Sequence, residues 1–179
     1  MSDIRTPKPV KYFVGMISNN EELFEKAMEK LKPYYGEFDI VSESVPFDFT
    51  DYYHPEMGEG LKRKFASFEK LMDPGILPDM KILTNKIEEE FAHTVDENGY
   101  KRSVNIDPGY LNEPKMILAS TKDFSHRIYL RDGIFAEITL FWRNKQYQHW
   151  EWTFPDYRTQ WYKDWFTSLR KRYLEQVKK

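Results

Sequence analysis

The stretch that decides the fold runs from residue 119 to residue 154: ASTKDFSHRIYLRDGIFAEITLFWRNKQYQHWEWTF. Asp132-Gly133 separates two apolar-rich runs. That dipeptide favours a two-residue type I′ turn, which needs positive φ at both central positions. The turn pairs Arg131 with Ile134, Tyr129 with Ala136, Ile128 with Glu137 and His126 with Thr139. A second tight turn at Asn144-Lys145 pairs Trp142 with Tyr147, Leu140 with His149 and Glu137 with Trp152. Three consecutive antiparallel strands follow. Side chains alternate across a strand, so one face carries His126, Ile128, Leu130, Phe135, Glu137, Thr139, Phe141, Gln148, Trp150, Trp152 and Phe154. Arg127, Tyr129, Arg131, Ile134, Ala136, Ile138, Leu140, Trp142, Tyr147, His149 and Glu151 fall on the other. The first face is the more apolar and is expected to be covered.

On that face His126 and Glu137 are diagonal neighbours, roughly 5.5–8 Å apart at the backbone and within side-chain reach. A lone buried carboxylate is costly, so Glu137 should be paired or neutralised. The pair reads in three ways: a general base with its orienting group, a structural hydrogen bond, or two solvated groups if the register slips.

A chain of 179 residues, 40% hydrophobic and 17% aromatic, is one ordinary domain with a substantial core. The net charge of −2 gives no overall bias toward nucleic acid or an anionic membrane. With no cysteine there are no disulfides, thiolate metal sites or cysteine nucleophiles. No apolar signal segment opens the chain and no 18-residue apolar run occurs, so a soluble, cytoplasmic protein is expected.

Residues 1–9 read as a loose arm. Tyr12 to Ile17 is apolar almost throughout, as in a strand covered on both faces. Asn19 or Asn20 then caps a helix in which Leu23, Phe24, Ala27, Met28, Leu31 and Tyr35 recur at helical spacing, and Gly36 closes it. Phe38 to Val45 reads as the next strand. Pro46 to Gly60 has no period and reads as a long loop. Its Asp51, His54 and Glu56 have a generic metal-ligand spacing that an acidic, aromatic surface loop explains equally.

Leu61 to Met72 reads as an amphipathic helix with Leu61, Phe65 and Phe68 inward and Lys62-Arg63-Lys64 solvated. Met80 to Leu83 reads as a short strand, after which either Thr84 or Asn85 caps a helix to about His93 or the strand continues. Asp96 to Gly99 reads as a turn, and Lys101 to Ile106 as a strand. A turn at Asp107-Pro108-Gly109-Tyr110 would expose a carboxylate and free backbone amides. Lys115 to Ala119 is helical or extended. Pro155-Asp156 starts a long last helix to about Gln176, with Tyr157, Trp161, Trp165, Leu169 and Tyr173 on one stripe. Its Arg170-Lys171-Arg172 and the terminal lysines form a basic end.

No P-loop, Gly-rich dinucleotide fingerprint, H-E-x-x-H or G-x-S-x-G is present. The remaining polar cluster supplies the candidates: His126, Glu137 and Asp107 for catalysis, and Lys122, Asp123, Arg127, Tyr110 and Ser120 for ligand binding. Lys and Arg with hydroxyls at a strand entrance suit a phosphate or carboxylate; such residues also commonly satisfy turn backbone.

The runs TDYYHPEMG (50–58), KFASFEKLMDP, LTNKIEEEFA, VNIDPGYL (104–111), ASTKDFSHRIYL (119–130), DGIFAEITL (132–140) and EWTFPDYR (151–158) resemble the domain of unknown function family 4416 of bacterial proteins. The resemblance covers essentially the whole chain. It implies a single-domain protein and carries no catalytic residues over. Members are often labelled GTP-binding. This chain has no P-loop and no Asn-Lys-x-Asp, since Asn85-Lys86 is followed by Ile87-Glu88.

The expected fold is one α+β domain: a mixed, mostly antiparallel sheet of about five to seven strands, a β-α-β opening and a long C-terminal helix. The expected function is an enzyme or binding protein for an anionic, phosphorylated or nucleotide-like small molecule. A protein–protein interaction module, suggested by the Tyr and Trp content, and a nucleic-acid-associated protein using the basic helix end are the alternatives.

Overall fold

The computed structural model describes residues 3–92 and 102–178; the expected turn at Asp96–Gly99 lies outside them. Strand β1 (Val10–Ser18) is buried along its whole length, as its near-continuous apolar run requires. Helix α1 (Glu22–Tyr35) follows, with the Asn20 side chain accepting from the Glu22 amide and Gly36 leaving at φ 86°. Strands β2 (Phe38–Val41) and β3 (Val45–Pro46) replace the single expected strand. The long loop contains one helical turn, α2 (His54–Met57).

The segment read as a helix is β4 (Lys62–Met72). Phe65 and Phe68 fit a period of 3.6, but Arg63/Phe65/Ser67 and Lys64/Ala66/Phe68 also alternate. Pairing on both sides, with β1 and with β2 and β3, decides for the strand. Lys62 and Lys64 pair with Glu21 and Glu25, while Arg63 is 3% exposed rather than solvated.

A 3-10 turn after Asp73 leads into α3 (Leu77–Ala92), which absorbs the short strand expected at Met80 to Leu83. Strand β5 (Asn105–Leu111) runs straight through Asp107-Pro108-Gly109, so no turn forms there. Strand β6 (Lys115–Ser120) is extended. Then come β7 (Ile128–Arg131), β8 (Ile134–Arg143) and β9 (Gln146–His149). A 3-10 turn at Asp156–Arg158 and a break at Thr159 precede α4 (Gln160–Gln176).

The result is an α+β fold: a nine-stranded sheet in the order β2-β4-β1-β5-β6-β8-β7, with β3 on β4 and β9 on β8. Every described pairing is antiparallel. The opening β-α-β unit makes no adjacent parallel pair, because β4 enters between β1 and β2. On one face α1 and α3 pack against Tyr12, Val14, Met16, Ala66, Phe68 and Ile106. On the other α4 packs against Phe13, Phe65, Leu118 and Leu140.

Both tight turns form as expected, with Asp132, Gly133, Asn144 and Lys145 all at positive φ. The register holds at Arg131–Ile134, Trp142–Tyr147 and Leu140–His149. An irregularity at Leu130 shifts the rest of β7, so Ile128 faces Ala136 and Tyr129 faces Phe135. Strand β9 ends at His149, which removes the Glu137–Trp152 pair. A second irregularity, opposite Met116/Ile117, lets β8 serve both cores, with Ile134 in one and Leu140 in the other.

The sheet is forked. Strands β5 and β6 share only three residue pairs, Gly109–Leu118, Tyr110–Ile117 and Leu111–Met116. Beyond them β5 continues along β1 to Asn105 and β6 along β8 to Ser120. The parting comes at Pro108, which has no N–H to give a neighbour. At the crotch a Cβ on Gly109 would sit 2.4 Å from the Ile117 carbonyl oxygen and 2.7 Å from the Phe13 ring. Gly109→Ala is therefore expected to cost about 2–3 kcal/mol in urea unfolding. A loss under about 0.5 kcal/mol, typical of surface changes, would show that the two strands do not approach so closely.

Candidate functional site

The open side of the fork is the mouth of a cleft of about 810 Å³. Its walls come from both faces of the sheet, from α3 on one and from residues 154–157 on the other, with the loop around Phe49 to Tyr53 across the rim. Cleft volumes of this order suit small organic ligands.

Leaving the ladder strips Ile106 of strand partners on its open side, and buried backbone groups need replacements. Helix α3 supplies them: Glu88 Oε1 accepts from the Ile106 amide at 2.6 Å and Lys81 Nζ donates to the Ile106 carbonyl at 3.4 Å. Each helix side chain then meets an opposite charge. Lys81 Nζ is 2.9 Å from Asp107 Oδ1, and Arg102 Nη2 is 2.5 Å from Glu88 Oε2. Asn105 donates to the second Asp107 oxygen at 2.6 Å. Burial would raise the Asp107 carboxyl, but Lys81, Arg63 and Asn105 outweigh it and hold the group below the usual carboxylate range. At Glu88 burial wins over Lys81 and Arg102 and pushes the carboxyl up.

The opposite wall is built on Glu137, 3% exposed. Its Oε1 accepts from the Thr139 hydroxyl at 3.0 Å, and its Oε2 accepts from both His126 Nε2 and Arg127 Nε at 2.9 Å. Two neighbours in sequence reach one carboxylate because residues 121–127 form a turn, not the strand expected there, with the Arg127 amide donating to the Phe124 carbonyl. This corrects the assignment of His126 to a strand pair with Thr139 and of Arg127 to the opposite face. Arg127 Nη1 also donates to Ser120 Oγ at 3.0 Å and to the Lys122 carbonyl at 2.9 Å. A carboxylate only accepts, so His126 Nε2 carries a hydrogen here. The imidazole stacks on Trp152 at 5.4 Å and lies outside the cleft lining, where it orients Glu137.

Of the residues nominated from sequence, Asp107, Ser120, Lys122, Arg127 and Glu137 line this cleft. Tyr110 packs against Tyr12 in the α1/α3 core, outside the cleft lining, and Asp123 is exposed outside it. Lys122 Nζ lies 4.5 Å from the centre of the Tyr52 ring and bonds its hydroxyl. His54 Nδ1 is 3.3 Å from Asp51, but Glu56 turns to Arg102. Among the described residues no group of three metal-ligating side chains gathers.

Sequence reasoning missed Arg63 and Asp156, which meet at 2.8 Å with side chains 4% and 7% exposed. Arg63 Nε also donates to the Tyr162 hydroxyl at 3.0 Å. The period-2 alternation around Arg63 was the available signal. Nothing local marked Asp156 as more than a helix starter. Lys81, Glu88 and Arg102 went unnoticed because their partners lie on another element.

A forked antiparallel sheet with helices on both faces and a charged cleft in the fork is thus the class to which the molecule belongs. The chain is a member of the family described as Domain of unknown function (DUF4416), whose model matches residues 8–173. Comparison with curated proteins gives no match. Among the described residues no helix is long and apolar enough to cross a membrane.

The depressed Asp107 carboxyl has a pH consequence. Its stabilisation is present above the unfolded value, about 3.9, and disappears as pH falls through the lower folded value. Melting temperatures of wild type and Asp107→Asn should differ at pH 7 and draw together as the pH falls below about 3.9. A gap that stays constant with pH would mean that the Lys81–Asp107 pair contributes nothing through charge.

Proposed function

We propose that the cleft binds a small molecule through one anionic group, a phosphate or carboxylate, seated by Lys122 and Arg127 with the Ser120 and Thr121 hydroxyls. The carrying observation is that cations and hydroxyls from β6 and the following turn line the same cleft as Asp107 and Glu137. The charge balance limits the anion. Among the described residues five cationic and six acidic side chains line the cleft, and most of those cations are already matched. A single phosphate suits such a wall, a polyphosphate does not. Nucleoside monophosphates and sugar phosphates fall within this class, and so do phosphorylated acids. Whether chemistry follows binding rests with the carboxylates: Glu137 and Asp107 are the acid–base candidates, with His126 in a positioning role.

The test is calorimetric titration with inorganic phosphate and a panel of sugar phosphates and nucleoside monophosphates. Lys122→Ala, at an exposed residue, should weaken binding about tenfold or more, as for loss of a charge-assisted hydrogen bond, and leave the melting temperature alone. If no anion in the panel binds, or Lys122→Ala binds as wild type does, the proposal falls.

An interaction-module reading has its own observation. β7 is a sheet edge whose four residues are all exposed, Ile128 at 72% and Tyr129 at 58%, next to Phe124 at 63%. The nucleic-acid reading has less behind it. In the basic helix end Arg170 packs 4.0 Å over Trp142 and donates to the Glu113 carbonyl, and Arg172 pairs with Asp39.

A further inference from the structure

Two polar groups on the cleft walls have no partner among the described residues: Arg63 Nη1 and the Tyr157 hydroxyl. Both residues are at least nine-tenths buried. The other arms of the guanidinium are used, Nη2 by Asp156 and Nε by Tyr162. Its carbon lies 5.0 Å from the Phe47 ring centre and 5.7 Å from that of Tyr157, so aromatic walls shut out bulk water. The position of Nη1 is built for. It lies over Gly15 of β1, where a Cβ would approach it to 3.1 Å, and Gly15 faces Asp107 in the ladder. Buried donors left unmade are costly and rare. Two on one cleft wall mark a place where an acceptor belongs.

The charge around them selects which acceptor. Arg63 is already matched by Asp156, and Asp107 by Lys81. A carboxylate or phosphate arriving here would bring an uncompensated buried negative charge. An uncharged carbonyl oxygen takes hydrogen bonds from both donors and adds none. We infer that the floor of the cleft is a second subsite, in which Arg63 Nη1 and the Tyr157 hydroxyl donate to a neutral carbonyl oxygen of an amide, lactam or ketone. This deepens the function proposed above. The ligand is then an anionic small molecule whose buried end is a carbonyl compound flanked by aromatic rings.

The test uses 2-pyrrolidone as the carbonyl probe, acetate as the carboxylate probe and inorganic phosphate as the anion probe, each titrated into the full chain by NMR. 2-Pyrrolidone should bind the wild type, phosphate should not displace it, and acetate should not compete for the floor. Tyr157→Phe removes only an unpartnered hydroxyl, so the free variant should melt at the wild-type temperature or above. It should nonetheless bind 2-pyrrolidone about fivefold more weakly, the value of one hydrogen bond. Arg63→Lys keeps the charge facing Asp156 and loses the fork, and is the second variant. Absence of 2-pyrrolidone binding, wild-type affinity for it in both variants, or displacement by acetate overturns the carbonyl subsite. Phosphate bound without 2-pyrrolidone sinks this inference and spares the anion site. 2-Pyrrolidone bound without phosphate does the reverse.

Discussion

The cleft exists because β5 stops pairing with β6 at Pro108. Proline in a central strand is tolerated only where one side of that strand is an edge, and here the edge faces inward. An inward edge cannot be left to water, so the open backbone of Ile106 is taken up by Glu88 and Lys81. These are buried ionisable groups, and each brings an opposite charge with it, Arg102 to Glu88 and Asp107 to Lys81. A missing imino hydrogen in one strand thus leads, step by step, to a polar wall inside a β-sheet protein.

The other half of the sheet meets the fork with a different arrangement. Glu137 on β8 is held by His126, Arg127 and Thr139, whereas Arg63 on β4, in the same half as β5, is held by Asp156 at the entry to α4. Breaking such a buried pair from one side strands a charge at a cost of about 3–5 kcal/mol. The Arg63–Asp156 pair therefore also fixes where the C-terminal helix joins the sheet. Aromatic rings from β4, the 46–60 loop and α4 surround the guanidinium, which ties the rim of the cleft to its floor.

What could be read from the sequence was whatever a few neighbouring residues decide. Asp132-Gly133 and Asn144-Lys145 set two turns by their own φ preferences, and β1 and α1 announced themselves by run and period. The fork was illegible because Asp-Pro-Gly is a turn signal locally, and only the β1 ladder holds it extended. Residues 61–72 satisfy both periods, so β4 became a strand through partners 25 to 62 residues away, from Val41–Ala66 to Val10–Met72. Glu137 was correctly singled out as an inward carboxylate needing a partner. Arg127 was placed on the far face because the 121–127 turn, which swings it back to Glu137, leaves no mark in a two-residue alternation.

The same bookkeeping of partners separates structural charges from available ones. Asp107, Glu88 and Glu137 each accept from at least two donors, so part of their hydrogen-bonding capacity is already used. Arg63 Nη1 and the Tyr157 hydroxyl are buried and have no partner among the described residues. A ligand that completes them would join β4 to the segment leading into α4, beside the contact Arg63 already makes with Asp156. Binding there would favour the folded state by mass action and would tighten the junction between β4 and the entry to α4. A ligand seated there would therefore draw on the same side chains that join β4 to the entry of α4.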